Sequence, residues 1–186
     1  MANPTAAAIL WPEKFLPGST DNYVSNEVVV ADLDFDDVWP YLADCSHWEA
    51  YYDNIGQITP PPTGTFFTPE AVGSHFNFAT FGFPPLEIIL EELVPPTATT
   101  PGRMAWRAWL PGATGDDHIE VYHAWIVENA PWSSPSKKVV RVLTQESQIG
   151  VPAKNLATTV PSPMLLGHQK WLDGLIAYAK EKKEKK

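Results

Sequence analysis

The sequence predicts an α+β domain in which a curved antiparallel sheet is closed by one long C-terminal helix. Three observations predict it. Across residues 21–150, short runs rich in β-branched and aromatic residues alternate with Pro, Gly, Asn and Asp, as in a meander of antiparallel strands. Across residues 161–186, apolar residues return at spacings of three and four, which is the period of a helix. Eight Trp in 186 residues supply large flat side chains that suit the wall of an apolar cavity as well as plain core. A bent sheet facing a helix leaves a gap, so a small-molecule container is the first functional expectation.

Residues 1–20 hold Pro4, Pro12, Pro17 and Gly18 and read as an irregular lead-in, draped over the domain with Trp11 or Phe15 as anchor. Residues 23–33 contain Val28, Val29 and Val30 and read as the first strand. Asp34 is placed as an N-cap, with Asp36 and Asp37 in a first turn where the helix dipole favours acids. Val38, Leu42 and Cys45 continue that helix, and Pro40 lies near enough to its start to be tolerated. A second short helix is expected over residues 46–52. The Pro-rich stretch 60–72 predicts an exposed, mobile lobe. Strands are then expected at 74–81, 86–94, 103–110, 118–128 and 137–149. Ser162 caps the last helix, with Pro163 in the first position that accepts proline. Gly167 and Gly174 each weaken that helix by about 1 kcal/mol relative to Ala. They mark either a close approach or simple tolerance. The domain organisation is a lead-in (1–20), a single domain (21–182) and a basic tail (183–186).

The formal net charge is −9, although residues 180–186 carry five Lys and two Glu. An acidic body repels a phosphate backbone, so nucleic acid is not an expected partner. The tail reads as a solvated helix end that complements the helix dipole, with a docking arm as the weaker alternative. Cys45 is the single cysteine, which excludes an intrachain disulfide and fits a reducing compartment. It reads as a small packing residue. Neither a secretory core nor a run of about 20 apolar residues is present. A cytoplasmic location without integral membrane association is the expectation.

Residues 28–44 (VVVADLDFDDVWPYLAD), with the Asp44-x-x-x-Trp48 spacing, resemble the opening of the SRPBCC superfamily, which includes START and birch-pollen-allergen-like proteins. The strand around Arg103, Trp106 and Arg107 is similar to that superfamily's fifth strand. Residues 144–150 (TQESQIG) are similar to its last strand, which ends in an acid, a few residues and Gly. The resemblance covers roughly residues 22–182 and points to the polyketide cyclase/dehydrase-like branch. It implies the helix-grip fold, a sheet wrapped around the C-terminal helix with two short helices after the first strand. Tyr51 and Tyr52 stand where many relatives carry a second Trp, and the 60–72 insertion is atypical. The fold serves carriers, sensors, cyclases and hydroxylase subunits, so it does not by itself choose a function.

Alternation along 118–128 places Ile119, Val121, His123, Trp125 and Val127 on one face, the more apolar one. His123 is thus expected inside, where a neutral imidazole can exchange a proton near neutral pH. Glu146 alternates with Val140, Val142 and Thr144 and is the second acid/base candidate. Arg107 is the third, facing either inward toward an anionic oxygen or outward as a surface charge. Trp48, Tyr51, Tyr52, Phe78, Trp106, Tyr122, Trp125 and Trp171 are the candidate ligand contacts. The five histidines lack ligand-type spacing, His118-x4-His123 splitting across strand faces, so neither metal nor cofactor is expected. Phosphate loops and nucleophile motifs are absent from the sequence.

Two readings follow. In the first the protein binds a small hydrophobic, aromatic or polyketide-like molecule between sheet and helix. In the second it is a cyclase- or dehydratase-type enzyme on such a molecule, with His123 or Glu146 moving protons.

Overall fold

The computed structural model describes residues 5–185. The first four residues of the lead-in and the last lysine of the basic tail lie outside the described residues. The strands are β1 (Asn22–Ala31), β2 (Ile55–Thr59), β3 (His75–Thr80), β4 (Leu86–Val94), β5 (Gly102–Trp109), β6 (Glu120–Asn129) and β7 (Val139–Ile149). They form one sheet in the order β1-β7-β6-β5-β4-β3-β2, and every neighbouring pair is antiparallel. The helices are α1 (Phe35–Leu42), α2 (Trp48–Tyr51), α3 (Val151–Thr158) and α4 (Pro163–Glu184). This is the expected α+β helix-grip arrangement.

Local chemistry explains the helix boundaries. The Asp34 carboxylate accepts from the Asp36 backbone N–H, and the Asp37 carboxylate accepts from the Asp34 N–H. This reciprocal cap satisfies donors that the first helical turn leaves open. Ser162 Oγ accepts from Leu165 N–H at 3.2 Å and starts α4. The far end of α4 is tied down: Lys183 Nζ donates to the Asp37 carboxylate at 2.8 Å and to the Asp32 carbonyl at 2.7 Å. The basic segment therefore continues the helix instead of leaving it.

The concave side of the sheet, α1, α2 and α4 share one apolar core. A bulge between Leu90 and Glu92 bends β4, as an extra residue in one strand does. The convex side is covered as well. Ile9 and Phe15 of the N-terminal segment are buried against Ala105, Tyr122, Ala124, Ile126 and Leu143, with Trp11 half-buried beside them. Arg141, 7% exposed, holds this strap. It pairs with Glu27 and Glu128, and donates to the Ala7 carbonyl at 2.9 Å.

Two expectations change. Residues 60–72 are exposed for most of their length, as expected, but the segment is anchored: Phe67 is buried against Trp48 and Phe76, and its N–H donates to the Ala43 carbonyl at 2.7 Å. The second change is α3, which the sequence reading left out. Pro152 sits in its first turn, where its missing N–H costs nothing. Among the described residues no helix is long and apolar enough to cross a membrane.

Candidate functional site

The site grows from three elements that sequence spacing does not connect. His123 projects from the middle of β6, Glu146 from β7 and His168 from α4. In the sheet register His123 lies directly opposite Glu146 and Trp106. Alternation then sends Met104, Trp106 and Ala108 of β5, and Val140, Val142, Thr144, Glu146 and Gln148 of β7, to the concave side with His123. On α4, His168 belongs to the same stripe as Met164, Trp171, Leu172 and Leu175, all buried.

The three side chains meet around one carboxylate oxygen. Glu146 Oε2 lies 3.0 Å from His123 Nδ1 and 3.2 Å from His168 Nε2. The other oxygen accepts from Gln148 Nε2, and Gln148 Oε1 accepts from Asn22 Nδ2 at 2.6 Å. His123 Nε2 meets Thr144 Oγ1 at 2.7 Å. The imidazole planes lie within 4° of parallel at 4.6 Å. His168 Nδ1 is buried without a hydrogen-bond partner. Glu146, His123 and His168 are 6%, 2% and 1% exposed. Burial drives the His123 pKa well below the ordinary histidine value, and the neighbouring His168 pushes the same way. Water is largely excluded, so charged and neutral forms differ strongly in cost.

This polar cluster is the floor of a cavity between sheet and α4. Its walls are apolar: Phe78, Leu86, Trp106, Ala108, Val121 and Trp171. Its volume is about 40 Å³, room for a few waters, since one needs roughly 10–15 Å³. Phe81, Phe83 and Leu156 also line the cavity and are only half-buried, so they reach from it to the surface. Phe81 and Gly82, the central residues of the β3–β4 turn, have φ of 51° and 76°, and Phe83 N–H donates to the Thr80 carbonyl at 2.9 Å. Positive φ at both centres is the pattern of a tight hairpin turn, unusual for a bulky residue. It brings the Phe81 ring over Gly167 of α4, where an added Cβ would collide with the ring.

Of the residues singled out from sequence, His123, Glu146, Phe78, Trp106 and Trp171 line this cavity. The others stand elsewhere. Arg107 points from the convex side, bonded to Glu91 at 3.1 Å, 3.6 Å from Glu120 and stacked over Trp109. Tyr122 also faces the convex side, against Phe15 and Trp11, because it neighbours His123 and strand faces alternate. Trp48, Tyr52 and Trp125 are core rather than cavity wall. Trp48 packs on Phe67, Phe78, Trp106 and Trp171, Tyr52 stacks on Trp171 at 4.6 Å, and Trp125 packs on Trp171 at 5.2 Å. Tyr51 donates to the Tyr41 carbonyl at 2.9 Å, away from the cavity. Aromatic side chains thus fill much of the volume that the sequence suggested was hollow.

Sequence reasoning passed over His168 and Gln148. A histidine inside the apolar stripe of α4, three residues before Trp171, was the available signal. The two imidazole nitrogens and the carboxylate oxygen also lie within 4.8 Å of one another and could ligate a metal ion. The expectation of no metal rested on spacing along the chain, and the cluster forms across three elements.

Neither a protein-family model nor a curated protein matches the sequence. Among solved structures, the crystal structure of hypothetical protein jhp0584 from Helicobacter pylori is 49% identical, with a TM-score of 0.84. The match covers 96% of this chain and 99% of that one. The chain belongs to the same family as that protein. Its fold, an antiparallel sheet wrapped around the C-terminal helix, recurs in more distant solved structures. Protein MLL2253 from Mesorhizobium loti has the fold at 13% identity and a TM-score of 0.52, covering 81% of this chain and 93% of that one. So does the di-domain ARO/CYC BexL from the BE-7585A biosynthetic pathway, at 16% identity and a TM-score of 0.53. There the match covers 83% of this chain and 45% of that one.

Proposed function

We propose that the protein binds a small, mainly apolar molecule carrying one polar group in the cavity between the sheet and α4. The observation that carries this reading is the polarity of the cavity: apolar walls end in a floor of His123, Glu146 and Gln148. Such an arrangement suits a ligand whose ring or chain lies against Phe78, Trp106 and Val121 while its oxygen or nitrogen meets the floor. The volume of about 40 Å³ limits what enters without movement. A benzene-sized guest occupies a cavity of roughly 150 Å³, so an aromatic ligand requires Phe81 to leave Gly167.

A second reading, proton transfer on the bound molecule, is favoured by the burial of Glu146 between two imidazoles. A plain container needs no ionisable group at its floor, and desolvating one costs several kcal/mol. In that reading Glu146 and His123 take and return a proton at the ligand's polar end.

Native mass spectrometry of the protein isolated from its own source tests the first reading. A co-purifying small molecule is expected, lost in Phe78→Asp and retained in Arg107→Ala on the convex side. Identical spectra for the unaltered protein and Phe78→Asp would remove it. Turnover of the identified molecule that falls by about 100-fold in Glu146→Gln, with binding retained, selects the second reading.

A further inference from the structure

We infer that the floor of the cavity is a binding site for a divalent transition-metal ion, held by His123 Nδ1, His168 Nε2 and Glu146 Oε2. The donor set is the argument. Two imidazoles and one carboxylate suit borderline ions of the zinc, iron or cobalt type. The carboxylate oxygen lies 3.0 and 3.2 Å from the two nitrogens, and all three atoms fall within 4.8 Å. With metal–ligand bonds of about 2.1 Å, ligands at right angles stand about 3.0 Å apart and tetrahedral ones about 3.4 Å, and the two nitrogen–oxygen spacings fall within that range.

Charge points the same way. Among the described residues no Lys or Arg side chain pairs with Glu146; its ion-pair partners are the two histidines. A buried carboxylate normally has a cation or a metal beside it. The surroundings also match an outer shell. Thr144 holds the far nitrogen of His123, and Gln148, itself held by Asn22, holds the second oxygen of Glu146. Such contacts fix the orientation of metal ligands. Binding turns the His168 ring about χ2, a soft torsion, so that the lone pairs of the two stacked rings converge. The adjoining cavity provides a way in and open coordination positions.

The inference deepens the reading of this cavity as a ligand site, and its test needs no organic ligand. The probe is Co²⁺ alone, added to untagged full-length protein stripped with a chelator. One equivalent is expected, with visible absorption from a protein-ligated ion and quenching of tryptophan emission, since Trp106 lies 4.7 Å and Trp171 5.8 Å from His123. His168→Asn and Glu146→Gln, checked for native circular dichroism, are expected to bind about 100-fold more weakly, which corresponds to roughly 2.7 kcal/mol. A His75→Ala/His118→Ala variant removes two partly exposed histidines and is expected to keep the full equivalent. Absence of binding by the unaltered protein, unchanged binding by Glu146→Gln, or loss in the surface variant would each overturn the inference. None of these results bears on whether an apolar molecule occupies the walls, which mass spectrometry reads separately.

Discussion

Gly174 offers the sharpest test of how α4 is seated. A Cβ built there would fall within van der Waals distance of the Tyr51 carbonyl oxygen, well inside the 3.0 Å that real Cβ atoms keep, with the carbonyl carbon at 3.1 Å. The obstacle is backbone at the end of α2, and backbone cannot swing aside. Gly174→Ala must therefore push α4 from α2 by on the order of an ångström. That loosens Trp171, Leu172 and Leu175, each 2% exposed or less. Overpacking of this kind costs about 1–3 kcal/mol and sometimes more, and the separation adds lost contacts, so about 4 kcal/mol is a fair gross figure. Alanine returns about 1 kcal/mol of helix propensity. The net expectation is a loss of about 3 kcal/mol, which lowers the melting temperature by roughly 6–12 °C in a chain of this size. Thermal unfolding by circular dichroism reads this directly. The competing view, that Gly174 is merely tolerated, predicts the opposite sign: a rise of a few degrees from propensity alone. An unchanged or raised melting temperature would refute the close-approach argument.

Two other predictions follow from the site. The atoms nearest to a Cβ added at Gly167 are those of the Phe81 ring and the Tyr52 hydroxyl, side chains and not backbone, so in Gly167→Ala the ring is expected to swing outward at little cost in stability. Faster quenching of tryptophan emission by acrylamide would report the widened mouth, and an unchanged quenching rate would argue that Phe81 does not guard it. In chelator, stability is expected to fall as pH drops below about 6.5, because the unfolded chain binds a proton at that value while folded His123 refuses it. The slope approaches 1.4 kcal/mol per pH unit and persists down to the lowered folded pKa. Urea midpoints between pH 7.5 and 5 measure it, and an equal slope in His123→Gln would locate the effect elsewhere.

Much of the fold was legible because local chemistry agreed with it. The Asp34 cap, the Ser162 start of α4 and the strand runs follow from side-chain type and period. Alternation sufficed to send His123 inward, since the apolar contrast along β6 is strong. Arg107 could not be settled that way: its side depends on register through the turn at residues 111–115, and one residue of slip exchanges the faces. The helix α3 escaped because its apolar content is thin and Pro152 reads as a breaker until its first-turn position is known. The site was legible by halves. His123 and Glu146 stood out as polar residues on apolar faces. Their meeting with His168 depends on how far the sheet bends toward α4, a long-range distance that no local pattern carries. The same bend decides that Trp48, Tyr52 and Trp125 are consumed as filling.

The strap across the convex side has a consequence for how this molecule meets others. With Ile9 and Phe15 pressed into the back of the sheet and Arg141 sealed beneath, strands β5, β6 and β7 offer neither broad surface to a visitor. Recognition is left to the perimeter: the hairpin tips, the outward stripe of α4 and the aromatic doorway beside Phe81. A partner that regulates access to the interior would therefore have to grip the rim.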